Sequence, residues 1–258
     1  MDAWPAASPR PHCRRAVVVG GSAGVGRALC DELAGCGYDL VVSARHPEDL
    51  DALAADLGLR HGAAVTPIPL DLCGPAEHLT RHVEECFAAL GEVDAVLVTV
   101  GAVSDDDDGT ASPEVTTTLV KTNFLGVATL AAAFVERLEA QGRGTIVLFS
   151  SVAAAVPRGR NAVYGAAKVA LEHYGRSLQH RLAGGNVRVQ IYALGYVDTA
   201  MAAGRRLLLP AADPQRIART VVGGLDRDRR FMYLPRYWRA IVFALTRLPW
   251  PIYRRLSF

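Results

Sequence analysis

The chain has 258 residues, half of them hydrophobic and 21% charged, with a formal net charge of +2. That length suits one α/β domain around a single large core, and the composition is that of an ordinary globular protein. Its five cysteines (Cys13, Cys30, Cys36, Cys73, Cys86) are odd in number and scattered, with no Cys-x-x-Cys or His-x-x-x-His spacing. They argue against a metal cluster and for reduced thiols in a cytoplasmic protein.

Met1 to Arg15 is rich in Pro, Ala and Arg without the apolar core of a signal peptide, so residues 1–15 are expected to be a flexible tail. No uninterrupted apolar run of about 18 residues follows, so no membrane-spanning segment is expected. Order is predicted to begin at Ala16. Ala16 to Val19 is a β-branched run, Gly20-Gly21-Ser22-Ala23-Gly24-Val25-Gly26 a glycine-rich turn, and Arg27 to Leu33 the start of a helical pattern. A glycine-rich turn alone is a weak sign, but strand, turn and helix in this order form the phosphate-binding start of a dinucleotide fold. Glycines let the backbone approach a pyrophosphate, and the helix N-terminus favours negative charge. Gly20, Ser22, Gly24, Val25 and Gly26 are therefore candidate cofactor-binding residues.

A second strand, Tyr38 to Ser43, ends at Ala44-Arg45. An acid here would hold a ribose 2′-hydroxyl, whereas Arg45 matches a 2′-phosphate, which favours NADP(H) over NAD(H); the plainer reading is a solvated surface arginine. A helix over about 48–58 leads to a strand over 64–70 that ends on Asp71-Leu72. A helix over 76–90 and a strand over 93–99 follow, the latter ending on Gly101. The carboxylate run Asp105 to Asp108 reads as a solvated loop, not a metal site. A long Ala-rich helix is predicted over about 113–140 and carries Asn123. Then come a strand from Thr145 closed by Ser150-Ser151, a helix through Tyr164 to about Leu182, and a strand over 187–193. Asp213-Pro214 has the form of an N-cap with proline at the first helical position, opening a helix to about Leu225 before a last strand over 231–234. Seven strands alternating with helices predict a doubly wound, Rossmann-type parallel sheet in a single domain over 16–235.

Tyr164 and Lys168 are four apart in a helical pattern, so both side chains leave one helix face. A free phenol titrates at about 10; a neighbouring ammonium favours phenolate and brings proton exchange toward neutral pH. Any single Tyr-x-x-x-Lys is weak by itself, since helix packing often produces it.

Taken together, the ordered motifs resemble the short-chain dehydrogenase/reductases over roughly residues 16–234. The matching pieces are Gly20-x-x-x-Gly24-x-Gly26, Asp71, Gly101, Asn123-Phe124-Leu125-Gly126, Ser151, Tyr164-x-x-x-Lys168 and Gly195-Tyr196-Val197-Asp198-Thr199. The family's serine lies thirteen residues before its tyrosine, which selects Ser151 over Ser150. The resemblance implies hydride transfer between a nicotinamide and a carbonyl or alcohol. Tyr164 would donate the proton, and Lys168 would lower its pKa and bind ribose hydroxyls. Ser151 would hydrogen-bond the substrate oxygen, and Asn123 would hold a water linking Lys168 to solvent. Asp71 and Leu72 would meet the adenine, and Val197 and Thr199 the nicotinamide carboxamide. A homodimer or homotetramer through the helices near 113–140 and 161–182 is implied on the same basis. Three positions depart from the pattern: Val98-Thr99-Val100 replaces bracing amides, Val19 replaces a threonine, and Leu194 a proline.

Residues 229–258 hold seven arginines and no acid, a charge of +7 that leaves −5 for everything before it. Aromatic and aliphatic residues are interleaved among them, too short a stretch to span a membrane. The pattern predicts a basic amphipathic extension over 236–258 lying on an anionic membrane surface, peripheral on the inner face. Its apolar content argues against nucleic acid, and a tail packed on the fold is the alternative. The ending also resembles that of the decaprenylphosphoryl-2-keto-pentose reductases, which implies a lipid-linked or long-chain ketone, with Arg205-Arg206 available for a phosphate. A small soluble carbonyl or alcohol is the other substrate reading, and a non-catalytic dinucleotide-binding scaffold the other functional class.

Overall fold

A computed structural model of the chain describes residues 13–199 and 209–256. Seven strands form one sheet in the order β3-β2-β1-β4-β5-β6-β7, every pairing parallel. They are β1 (Arg15–Val19), β2 (Asp39–Ser43), β3 (Val65–Pro67), β4 (Ala95–Val98), β5 (Gly144–Ser151), β6 (Val187–Leu194) and β7 (Phe231–Leu234). The central strands are buried along their whole length. That is why they read as unbroken Val/Leu/Ile runs, since helices cover both faces of the sheet.

One face carries α1 (Gly24–Gly35), α2 (Pro47–His61) and α7 (Pro214–Val222), packed through Leu29, Leu33, Leu50, Leu57 and Ile217. The other carries α3 (Ala76–Leu90), α5 (Gly126–Gln141) and α6 (Ala162–Arg181), packed through Val83, Leu130, Phe134 and Leu171. Register pairs Val19 with Ser43 on one side and with Val98 on the other, so three strand ends line up at one edge. The chain reverses its winding between β1 and β4, and in such sheets the crevice outside the strand ends at that point holds the ligand.

Three expectations need correcting. Strand β3 is short because Pro67 and Pro69 supply no N–H to a ladder, although Ile68 N–H still reaches the Val42 carbonyl. Order starts before Ala16: Arg15 opens β1 and the Arg14 guanidinium meets Asp226 at 2.8 Å, while residues 1–12 of the expected tail lie outside the described residues. The long Ala-rich helix is really α4 (Pro113–Val120), one wide π turn (Lys121–Leu125) and α5. That continuous stretch is long and apolar enough to cross a membrane by length and composition. Here its inner face, from Leu119 to Leu138, is instead buried on the sheet layer.

Beyond β7, α8 (Trp238–Leu245) turns back across the strand ends, followed by the short α9 (Trp250–Tyr253). Trp238 and Val242 are buried in a satellite core with Val152 and Val156, which follow directly on β5. The Trp238 indole fills the space where a Cβ of Gly195 would sit, and it meets the Tyr196 ring edge-on at 5.2 Å. The Tyr253 hydroxyl donates to the Pro157 carbonyl. The extension therefore packs on the fold, while Phe243, Trp250 and Ile252 remain exposed.

A tail that is part of the core should carry stability. Trp238→Ala is expected to cost about 3–5 kcal/mol, lowering the melting temperature by on the order of 10 °C. A melting curve that matches wild type would show that α8 is an appendage.

Candidate active site

The glycine turn is held from two directions. Gly20 and Gly21 N–H groups both donate to the Ser43 carbonyl, at 2.7 and 3.1 Å. Ser43 is itself fully buried, its hydroxyl 3.1 Å from the His82 ring. Burial holds His82 neutral, its pKa pushed down to about 4. The Thr99 hydroxyl lies 2.9 Å from the Val19 carbonyl and 3.1 Å from that of Gly20. Thr99 thus supplies a brace at the segment where the family's amides are missing.

Gly20 and Gly24 have φ of +87° and +54°, conformations that favour glycine. A Cβ on Gly26 would run into the Gly20 carbonyl, so only glycine lets α1 approach this closely. No side chain caps the first turn of α1, and it contains no acid. Its unpaired backbone N–H groups make a natural anion site.

These residues line a cleft of ≈ 1740 Å³ that runs along the strand ends. Pockets for single small ligands are typically about 300–1,000 Å³, so the cleft has room for a dinucleotide and a second molecule. Ser22, Gly24, Val25, Arg45, Asp71 and Leu72 lie along its walls, as do Gly101, Val197 and Thr199. Arg45 is exposed, Leu72 is buried, and the Asp71 carboxylate accepts the Cys73 N–H at 3.0 Å. The glycine cradle, the uncapped helix start and the cleft volume fit a dinucleotide. Arg205 and Arg206 lie outside the described residues.

Strand β5 separates its two terminal serines by the alternation of a strand. Ser150 is buried and donates to Glu172 at 2.8 Å, and burial raises the pKa of that carboxyl. Ser151 is half-buried in the cleft wall, its Oγ accepting the Ala153 N–H at 3.2 Å. Tyr164 and Lys168 enter the same cleft from α6. Lys168 is 3% exposed; its Nζ donates to the Phe149 carbonyl at 3.0 Å and lies 5.8 Å from the Tyr164 ring centroid. Burial lowers its pKa to about 8, so at neutral pH it still carries its proton. An ammonium held in that position favours the phenolate of Tyr164.

Asn123 sits in the π turn, fully buried. Its amide hydrogens go to the Ala102 and Leu119 carbonyls at 2.8 and 2.9 Å, and its Oδ1 accepts the Ala102 N–H at 3.0 Å. The side chain thus clamps the loop after β4 and has no N–H left to give a water.

The acidic run is not uniformly solvated, which corrects the loop reading. Asp107 is 1% exposed and accepts the N–H groups of Val163 and Tyr164 at 3.0 and 2.9 Å, while its own carbonyl accepts from Asn161. It caps the first turn of α6 from 56 and 57 residues away, so no local signal could have announced it. Asn161, the residue before that helix, has φ 58°. No group of three or more His, Cys, Asp or Glu side chains among the described residues is placed to hold a metal.

Comparison with known proteins matches residues 14–207 to the short chain dehydrogenase family model. The chain is 30% identical to an uncharacterized oxidoreductase of Streptomyces coelicolor over 244 residues, which is 94% of this chain and 96% of the relative. It is also 30% identical to a very-long-chain 3-oxoacyl-CoA reductase of Podospora anserina over 235 residues, 88% of this chain and 68% of that protein. Among solved structures, an alcohol dehydrogenase of Thermococcus sibiricus complexed with 5-hydroxy-NADP superposes with a TM-score of 0.76. The two are 26% identical, and the match covers 86% of this chain and 96% of that one.

Removing the Asp107 carboxylate should act through the helix that carries Tyr164. Asp107→Ala is expected to cost about 1–3 kcal/mol of stability and to lower kcat by up to about 10²-fold, as misplacement by an ångström does. Cofactor affinity measured by fluorescence titration should stay within a few-fold, and Asp107→Asn should fall between. Wild-type kcat in the alanine variant would mean the cap does not position Tyr164.

Proposed function

We propose the following reaction for this chain, which belongs to the short chain dehydrogenase family: reduction of a ketone to a secondary alcohol, or the reverse. A bound nicotinamide dinucleotide supplies or takes the hydride. The observation that carries the reading is the buried Lys168 ammonium, fixed by the Phe149 carbonyl beside the ring of Tyr164. In the reducing direction the Tyr164 hydroxyl gives its proton to the substrate oxygen, forming the new O–H bond. The Ser151 hydroxyl hydrogen-bonds that oxygen as negative charge develops on it. Lys168 stabilises the phenolate left on Tyr164 until solvent restores the proton, and it would also hold the ribose hydroxyls of a bound dinucleotide. Asn123 is a positioning residue on this reading, since it holds the loop that carries Gly101.

Gly20, Ser22, Gly24, Val25 and Gly26 would hold the pyrophosphate, Asp71 and Leu72 the adenine, and Gly101, Val197 and Thr199 the nicotinamide. Arg45, exposed at the cleft edge, supports NADP(H) over NAD(H) because its guanidinium suits a 2′-phosphate. The apolar part of the cleft lining, Val152, Tyr196 and Leu256 among it, supports a largely apolar substrate. Wild-type protein should oxidise NADPH faster than NADH with at least one member of a ketone panel running from small soluble ketones to polyprenyl-linked keto-sugars. Tyr164→Phe should lower that turnover by roughly 10²–10⁴-fold while cofactor affinity stays near wild type. Wild-type turnover in the Phe variant would sink the proton-donor assignment, and a preference for NADH would sink the role of Arg45.

The extension supports a second element of the reading. Phe243, Trp250, Ile252 and Leu256 are 59%, 69%, 52% and 40% exposed, and Arg239, Arg247, Arg254 and Arg255 are exposed around them. Apolar side chains ringed by arginines fit an anionic membrane surface on the cytoplasmic side. Exposed Leu125 and Val169, on the helices expected to meet a second subunit, support a homodimer or homotetramer. The protein should sediment with vesicles containing phosphatidylglycerol, and added salt should weaken the binding. Replacing the four arginines with Gln should remove about 1 kcal/mol each, within a Debye length of the surface. No binding by the wild-type protein at low salt would refute the membrane element without touching the reaction.

A further inference from the structure

Between Ser151 and Tyr164 the chain runs through Pro157-Arg158-Gly159-Arg160, of which Arg158, Gly159 and Arg160 line the cleft. Arg158 is half-buried there and has no carboxylate partner among the described residues. Some other arginines of this protein are paired. Arg14, Arg60, Arg143 and Arg181 each meet a carboxylate at 2.5–2.8 Å. Arg160, two residues on, is exposed and acts on the carboxylate of Asp108. Asp107 is turned inward onto the start of α6, so it does not answer Arg158. Asp105 also lines the cleft, but it has an interaction of its own.

The backbone that carries Arg158 is anchored. Pro157 restricts the residue before it, and its carbonyl accepts the hydroxyl of Tyr253 from the extension. The Arg158 charge is close enough to act on that phenol. A cation half-withdrawn from water, with no carboxylate partner among the described residues, is a site for an anion brought by a ligand. The cofactor does not supply it: the turn that would take the pyrophosphate and the Arg45 edge that would take a 2′-phosphate belong to other elements, β1–α1 and β2. Arg158 shares the lining of this cleft with Ser151, Val152, Tyr164 and Leu256.

We propose that Arg158 is the specificity-determining residue for an anionic group on the substrate. The substrate class is then a ketone joined through an apolar segment to a phosphate or carboxylate, with the apolar part along Val152 and Leu256. This rests on the reaction proposed above and deepens it by naming the substrate's second recognition point.

The test compares ketones that differ only in charge: a 3-oxoacyl group as its neutral N-acetylcysteamine thioester, as its coenzyme A thioester, and as the ω-carboxylate of the neutral compound. For wild-type protein with NADPH, kcat/KM should be highest for an anionic form. Arg158→Gln should raise KM for that form by about 10-fold or more, the range of a charge-assisted hydrogen bond. It should leave kcat and the neutral thioester nearly unchanged, and Arg158→Lys should restore part of the loss. Whichever anionic form responds identifies phosphate or carboxylate. Equal effects of the substitution on neutral and anionic ketones, or none on either, would overturn the proposal. If the wild-type protein reduces none of them, the reaction reading is what that arm tests. Calorimetric titration of the NADP⁺-loaded protein with the matching thioester lacking the 3-oxo group then decides the subsite. Binding weakened about 10-fold by Arg158→Gln supports it, and affinity unchanged by the substitution refutes it.

Discussion

A lysine ammonium taken out of water is the constraint on which the candidate site depends. Lys168 is 3% exposed, and its charge is compensated by the Phe149 carbonyl at the end of β5. Burial still costs enough to bring its pKa down to about 8. That hydrogen bond can form only if α6 lies against β5 in one register, with Gly165 packed close to the Ala153 carbonyl. The same register brings Tyr164 and Ser151 to one cleft. Helix docking and chemical competence are therefore a single condition here. A shift of α6 along β5 would strand a buried charge, which is among the costliest errors a fold can make.

Two contacts from far along the chain keep that register. Asp107 holds the N-terminal turn of α6 through the Val163 and Tyr164 amides, tying the loop after β4 to the helix that carries Tyr164. Asn123 clamps the same loop from below, from a π turn that widens the helix just where the side chain must turn inward. Thr99 ties the end of β4 to the glycine turn across β1. These cleft elements are thus braced against neighbours by largely water-shielded hydrogen bonds, and such networks hold geometry because leaving any member unpaired is costly.

The C-terminal extension joins this arrangement instead of hanging from it. Trp238 occupies the space left open by Gly195, directly after β6, and Tyr253 reaches the segment between Ser151 and Tyr164. The lining of the cleft consequently includes a residue from the end of the chain, Leu256. One face of the extension is core and the other is an exposed apolar and basic surface. Of the two alternatives the sequence left open, the packed tail describes one of these faces, and the proposed membrane contact would use the other.

Local pattern determined a great deal. The Val/Leu/Ile runs, the glycine turn with its following helix, and the four-residue spacing of Tyr164 and Lys168 are all periodicities within one element. Residues that are neighbours in sequence carry them whatever the rest of the chain does. The sheet and its strand count followed from these, whereas Ser151, Asp71, Leu72, Gly101, Val197 and Thr199 were legible only through the family resemblance. Proline chemistry shortened β3 and was equally local, although the apolar pattern hid it. What only the tertiary structure decided involves partners far apart in the chain. Asp107 meets Tyr164 across 57 residues, Thr99 meets Val19 across 80, and Tyr253 meets Pro157 across 96. An aspartate in a run of four looks like any solvated acid until the sheet closes and brings a helix start above it. Likewise an arginine-rich tail looks free until Gly195, by lacking a side chain, leaves space for an indole. Hydrogen bonds and shape complementarity between distant segments have no periodicity to read, so they exist only once the fold has assembled them.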